Sequence, residues 1–169
     1  MKKAVFFSLS LLVILLDQLS KHWALVNLAD HATLKLIPIL NLTLVYNTGA
    51  AFSFLSSTGN WHQWFFTIFS ITMSIVLTVW LIRLPKKQNL QMLAVSLILG
   101  GAIGNLIDRL TLGHVVDFIE FYYKNHHWFV FNIADAAISA GAVFLFIDLL
   151  FFNSEKKKCR YCEGSEETQ

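Results

Sequence analysis

The chain has 169 residues, 56% of them hydrophobic and only 14% charged, against roughly 25% charged in an average soluble domain. Fifteen Phe, five Trp and a mean hydropathy of +0.57, with eight Gly and two Pro, exclude a disordered chain, a collagen-like repeat and a disulfide scaffold. A formal net charge of +2 is too small to imply a nucleic-acid partner, and lipid is the solvent that suits this composition.

Four apolar stretches have the length of membrane spans. A first helix is expected at about residues 4–28, with Asp17, Gln18, Ser20 and Lys21 in its second half. Lys2 and Lys3 before an apolar run also fit a cleavable leader, but no small-x-small cleavage site follows, and the segment is read as a retained helix. Residues 40–46 alternate apolar and polar side chains, the period of a half-buried strand, and run into the turn-prone Asn47-Thr48-Gly49. Further helices are expected at 61–82, 90–109 and 129–152, with a short strand-like segment at 114–121 around Asp117. The polar residues 153–169 read as a disordered tail, which leaves 1–152 as one membrane domain.

Nine of the thirteen basic residues, Lys2, Lys3, Arg83, Lys86, Lys87, Lys156, Lys157, Lys158 and Arg160, flank these helices on one side. Positive charge marks the cytoplasmic side, so both termini are expected inside and residues 29–60 and 110–128 outside. Trp23, Trp61, Trp64, Tyr122, Tyr123 and Trp128 then fall near the outer interface, where amphipathic rings prefer to sit. The expected fold is an all-α membrane protein with a small β element: four transmembrane helices plus a small sheet on the outer membrane face.

An ionisable group inside a span costs roughly 2.5–3.5 kcal/mol on insertion scales, which makes each one a functional candidate. Asp17 and Lys21 are four apart on one helix face; they either neutralise each other, with Lys21 reaching outward, or serve a site. Asn105, Asp108 and Arg109 cluster at the outer end of the third helix, just beyond the small-xxx-small step of Gly100 and Gly104. Arg109 can pair with a carboxylate or with a lipid phosphate. Asp117 and Asp135, the latter three residues after Asn132, fall at similar depth near the outer boundary. Two carboxyls in one partly dry site can share a single proton, and such a pair can hydrolyse an amide: one activates water while the other protonates the carbonyl oxygen. The competing reading is that each caps a helix or pairs with Arg109 or Lys21.

Other chemistry has less support. The six histidines lack His-Glu-x-x-His spacing, and His126 and His127 read as solvent-facing loop residues. Ser53 lies outside a Gly-x-Ser-x-Gly elbow, and Cys159 with Cys162 form one Cys-x-x-Cys without a second pair. Neither a metal nor a cofactor is expected. Asp148 is expected at the inner interface and Glu120 on the polar face of its strand.

The motifs Gly101-Ala102-Ile103-Gly104-Asn105-Leu106-Ile107-Asp108-Arg109, Gly113-His114-Val115-Val116-Asp117-Phe118-Ile119 and Phe131-Asn132-Ile133-Ala134-Asp135-Ala136 follow Asp17, Lys21 and Asn47-Thr48-Gly49-Ala50-Ala51-Phe52. In that order they resemble bacterial lipoprotein signal peptidase, also called signal peptidase II, over residues 1–152. The resemblance implies an intramembrane aspartyl endopeptidase of the bacterial inner membrane, without metal or cofactor, whose active site faces outward. Its substrate would be a prolipoprotein carrying diacylglycerol on the cysteine that follows the scissile bond. By motif, Asp117 and Asp135 would be the catalytic pair, and Asn47, Asn105, Asp108, Arg109, Asn132, Asp17 and Lys21 would bind substrate or brace the site. Implied partners are this substrate, membrane phospholipid and globomycin-type inhibitors, with no nucleic acid. From the residues alone, a small proton-coupled transporter and a non-catalytic membrane adaptor compete, and the lack of an internal repeat counts against the transporter.

Overall fold

A computed structural model describes residues 2–28, 33–48, 61–123 and 126–151. The motif residues 49–52, Ser53 and the tail with Cys159 and Cys162 lie outside the described residues. Four helices, α1 (Lys2–Asn27), α2 (Trp61–Arg83), α3 (Asn89–Thr111) and α4 (Ile133–Phe151), each carry a stretch long and apolar enough to cross a bilayer. Even the shortest of them rises about 28 Å at the helical repeat, close to the thickness of a hydrocarbon core.

The central helix is α3. It packs against α1, α2 and α4, and half of its span is buried, against 17%, 17% and 22% for the other three. Lipid supplies little hydrophobic drive between helices, so close packing must hold them. Small residues permit it: a Cβ at Gly100 would lie 2.8 Å from the Ser10 carbonyl of α1, and one at Gly101 would collide with the Ala134 carbonyl of α4. Leu77, Leu81 and Leu84 meet Met92, Val95 and Leu99 in the core between α2 and α3. Outward faces carry exposed Leu11, Leu15, Phe69, Ile75 and Phe146, as suits a lipid surround.

At one end of the bundle Lys3 Nζ donates to the Ile82 carbonyl and Gln91 Nε2 to the Asp148 carboxylate. These contacts place the start of α1, the turn between α2 and α3, and the end of α4 together. Asp148 is buried against α3, where an amide from the neighbouring helix donates to its carboxylate.

The opposite end carries a four-stranded antiparallel sheet in the order β1-β2-β3-β4, formed by β1 (Leu34–Ile37), β2 (Leu40–Asn47), β3 (Val115–Tyr123) and β4 (His126–Phe131). Alternation reveals β2 and β3 but neither outer strand. The apolar stretch at 129–131 belongs to β4, so α4 begins at Ile133 and not at 129. His126 and His127 pair through their backbone with Tyr123 and Tyr122 instead of lying in a loop. Glu120 is buried rather than on a polar face, and its Oε2 accepts from Nδ2 of Asn41, its cross-strand partner, at 3.0 Å. Phe118 packs on Ala24 and Leu28 of α1, which ties the sheet to the bundle.

Gly101→Ala would drive a methyl group into the Ala134 carbonyl, a backbone atom that cannot rotate away. The expected cost is about 1–3 kcal/mol, read as a lower unfolding temperature in detergent; an unchanged temperature would contradict the close approach of α3 and α4.

Candidate active site

The first turn of α4 grows out of Asn132-Ile133-Ala134-Asp135, which forms a reciprocal cap. The Asp135 N–H donates to Asn132 Oδ1 at 2.9 Å, and the Asn132 N–H donates to Asp135 Oδ2 at 3.4 Å. Such a cap satisfies amides that have no partner inside a helix. The other half of the Asn132 side chain points across to β3, where Nδ2 donates to Asp117 Oδ1 at 2.7 Å. One amide side chain thus joins α4 to β3 and Asp135 to Asp117.

The remaining carboxylate oxygens are met in the same way. Asp117 Oδ2 accepts from Asn47 Nδ2 at 2.9 Å, and Asp135 Oδ1 accepts from Asn105 Nδ2 at 2.8 Å. All four oxygens of the two carboxyls therefore accept from an amide N–H. Neutral amides orient a carboxyl without adding a charge of their own. Asp117 is 2% exposed, and burial pushes its carboxyl up to about 6, with Asp135 acting in the same direction and the hydrogen bonds from Asn47 and Asn132 opposing it. It keeps its proton in a range where an ordinary aspartate has lost it.

Behind this pair lies a second layer, built from ionisable side chains. Lys21 Nζ is 2.7 Å from Asp17 Oδ2 and 2.9 Å from Asp108 Oδ2, and it donates to Asn105 Oδ1 at 3.0 Å. Lys21 is 2% exposed, so it does not reach outward; it is shared between two acids and linked to the front pair through Asn105. Asn47, Asn105, Asp108, Asn132, Asp117, Asp135, Asp17 and Lys21 accordingly form one connected network. Sequence reasoning passed over Gln18, which also joins this layer; its single signal was its place as a polar side chain beside Asp17.

Arg109 takes a separate position. It makes no pair with Asp108; instead Nη1 donates to the Asn105 carbonyl at 3.2 Å and Ser70 Oγ at 3.4 Å, and the guanidinium lies over the Phe66 ring at 5.9 Å. With Asn105 and Asp135 it forms the polar end of a cavity of about 330 Å³ between α2, α3 and α4. Met73, Leu77, Ile98 and Ile138 line the rest. The cavity is polar where it meets Asp135 and apolar along its length.

Fold and site together define a multi-pass membrane protein with a carboxyl pair at the junction of helix bundle and surface sheet. Residues 9–151 match the family described as signal peptidase (SPase) II, and the chain belongs to that family. A lipoprotein signal peptidase of Acinetobacter baumannii is 49% identical over 154 residues, covering 91% of this chain and 88% of the relative. One from Hydrogenovibrio crunogenus is 46% identical over 150 residues, covering 89% and 87%. Two solved structures, each described as a bacterial membrane enzyme, superpose with TM-scores of 0.77 and 0.76 at 29% and 31% identity, covering 89% and 90% of this chain and 95% and 92% of theirs.

Asn132→Ala removes a helix cap and a carboxyl donor together, and is expected to cost at least about 1–2 kcal/mol. Asn132→Asp keeps the cap but sets a further acid against Asp117. Its stability is expected to approach wild type at acid pH and to fall below it as pH rises and the added carboxyl ionises. Thermal unfolding of both variants across pH tests this; a pH-independent difference for Asn132→Asp would contradict it.

Proposed function

We propose that the chain is an intramembrane aspartyl endopeptidase that removes the signal peptide from diacylglyceryl-modified prolipoproteins, cleaving before the lipidated cysteine. The observation that carries this reading is the Asn132 bridge: its side-chain amide donates to the buried Asp117 carboxyl, whose proton affinity is raised, and its backbone N–H donates to the Asp135 carboxyl, which lines a membrane-embedded cavity. Membership of a peptidase family, and the lipoprotein signal peptidases among the relatives, support the substrate class.

In the proposed reaction one carboxylate takes a proton from water as the water oxygen attacks the scissile carbonyl. The other carboxyl, protonated, donates to the carbonyl oxygen. Collapse of the tetrahedral intermediate passes a proton to the leaving nitrogen of the cysteine, so the water oxygen ends in the new carboxylate of the signal peptide and the amine in the lipoprotein. Asn47, Asn105 and Asn132 hold the carboxyls, Asp17, Lys21 and Asp108 brace them, and Arg109 faces the substrate or a membrane phospholipid headgroup. Neither metal nor cofactor enters this scheme.

The apolar walls of the cavity suit an apolar substrate segment. Acyl chains add about 0.8 kcal/mol per buried CH₂, which fixes the lipidated cysteine at the interface and restricts where the scissile bond can lie. The bundle end that carries Lys3, Arg83, Lys86 and Lys87 lies opposite the sheet, which supports an inner-membrane orientation with cytoplasmic termini and an outward-facing site. Globomycin-type inhibitors are expected to occupy the same site.

Asp117→Asn and Asp135→Asn are each expected to lower turnover by roughly a thousandfold or more, with the wild-type rate unaffected by EDTA. The assay is cleavage of a purified prolipoprotein in detergent, with and without its diacylglyceryl group, reading the new N-terminus. Turnover retained in either variant, or activity lost to EDTA and restored by zinc, would overturn the mechanism; equal kcat/KM for the two substrate forms would overturn lipid dependence alone.

A further inference from the structure

The backbone immediately ahead of each proposed catalytic aspartate is held by a carboxylate, and both of these carboxylates are held from α1. The N–H of Ala134, the residue before Asp135, donates to Asp17 Oδ1 at 2.9 Å. The N–H of Val116, the residue before Asp117, donates to Asp108 Oδ2 at 3.1 Å. Ala134 and Val116 are fully buried, and the Ala134 amide lies in the first helical turn, where no intrahelical acceptor exists.

Two side chains of α1 gather the accepting acids. Lys21 Nζ reaches both, at 2.7 Å and 2.9 Å. Gln18 Nε2 donates to Asp108 Oδ1 at 2.8 Å and lies 3.1 Å from the Gly104 carbonyl and 3.3 Å from Asp17 Oδ2. The fit leaves no slack, since a Cβ at Gly104 would sit 2.6 Å from Asp17 Oδ2. Lys21 also fixes the sense of the Asn105 amide by donating to its oxygen, which leaves the nitrogen to donate to Asp135. Charge-assisted bonds in such dry surroundings are short and directional.

The geometry points to Gln18 as a further positioning residue of the aspartate pair, acting beside Lys21: through Asp17 and Asp108 the two fix the backbone ahead of Asp135 and Asp117, so that α1 sets the separation of two groups it does not itself contain. The inference rests on the reading of Asp117 and Asp135 as the catalytic pair. A purely structural role for these ties would affect stability and leave kcat alone. A positioning role affects kcat while substrate binding persists, because displacement of reacting groups by about an ångström costs up to a hundredfold in rate.

Steady-state kinetics of the full chain in detergent, with a diacylglyceryl prolipoprotein as substrate, compare wild type with Gln18→Met, Lys21→Met, Lys21→Arg and Asp135→Asn. Gln18→Met, unbranched and uncharged, is expected to fold, to lose about tenfold in kcat and to keep KM within about twofold. Lys21→Met is expected to lose about a hundredfold in kcat, and Lys21→Arg, which can still bridge two carboxylates, to recover part of it. Wild-type kcat in Gln18→Met would overturn the inference, whether or not its unfolding temperature falls and whether or not Lys21→Met folds. Asp135→Asn separates the two readings: if it retains turnover, the catalytic pair is wrong, whereas if it is inactive and Gln18→Met is normal, only the positioning role fails.

Discussion

A carboxyl group buried where a helix bundle meets its surface sheet loses most of its solvating water, and the arrangement of this protein follows from how that loss is met. Asp17, Asp108, Asp117 and Asp135 meet around the sheet-facing end of α3. Lys21 serves Asp17 and Asp108, while Asp117 and Asp135 are met by amides. At Asp117 burial outweighs the amide donors, with Asp135 acting in the same direction, and the carboxyl is pushed up to about 6.

The fold supplies each donor from a different element, which makes the site sensitive to packing far from it. Asn105 comes from α3, Asn132 from the junction of β4 and α4, and Asn47 from the last position of β2. Asn47 lies across from Val115 in the β2–β3 register, after a shift between Leu42 and Val45, and its side chain reaches Asp117 as a diagonal neighbour. The sheet is therefore part of the site, and its contact with α1 through Phe118 fixes its height above the bundle. Gly101 and Gly104 do the same for the helices, the first against the backbone of α4 and the second against the Asp17 carboxylate.

Much of this was legible in the sequence, for a physical reason: polar residues are conspicuous in an apolar run. Asp17, Lys21, Asn105, Asp108, Asn132 and Asp135 stand out in that way, and the helices carrying them follow from the apolar stretches. The start of α4 was not legible, because the apolar residues before Asn132 fit a buried strand as well as a helix. Asp108 and Arg109 were open to pairing on paper, but adjacent residues of a helix point in different directions, and Arg109 turns to Ser70 and Phe66 instead. Glu120 read as a solvated strand residue because nothing in one strand announces that Asn41 lies opposite in another. Gln18 was hidden for a related reason: an amide one position from an acid forms no recognisable pattern until α3 is placed beside it.

Asp117, buried beside Asp135, keeps a proton that an ordinary aspartate would have lost. The most direct measurement is an infrared difference titration of the carboxyl band in the full chain between about pH 5 and about pH 8. The expected result is one buried carboxyl losing its proton near pH 6, with the signal abolished by Asp117→Asn and displaced by Asp135→Asn. A signal that survives Asp117→Asn unchanged, or a carboxyl at position 117 that titrates like an exposed aspartate, would contradict the account.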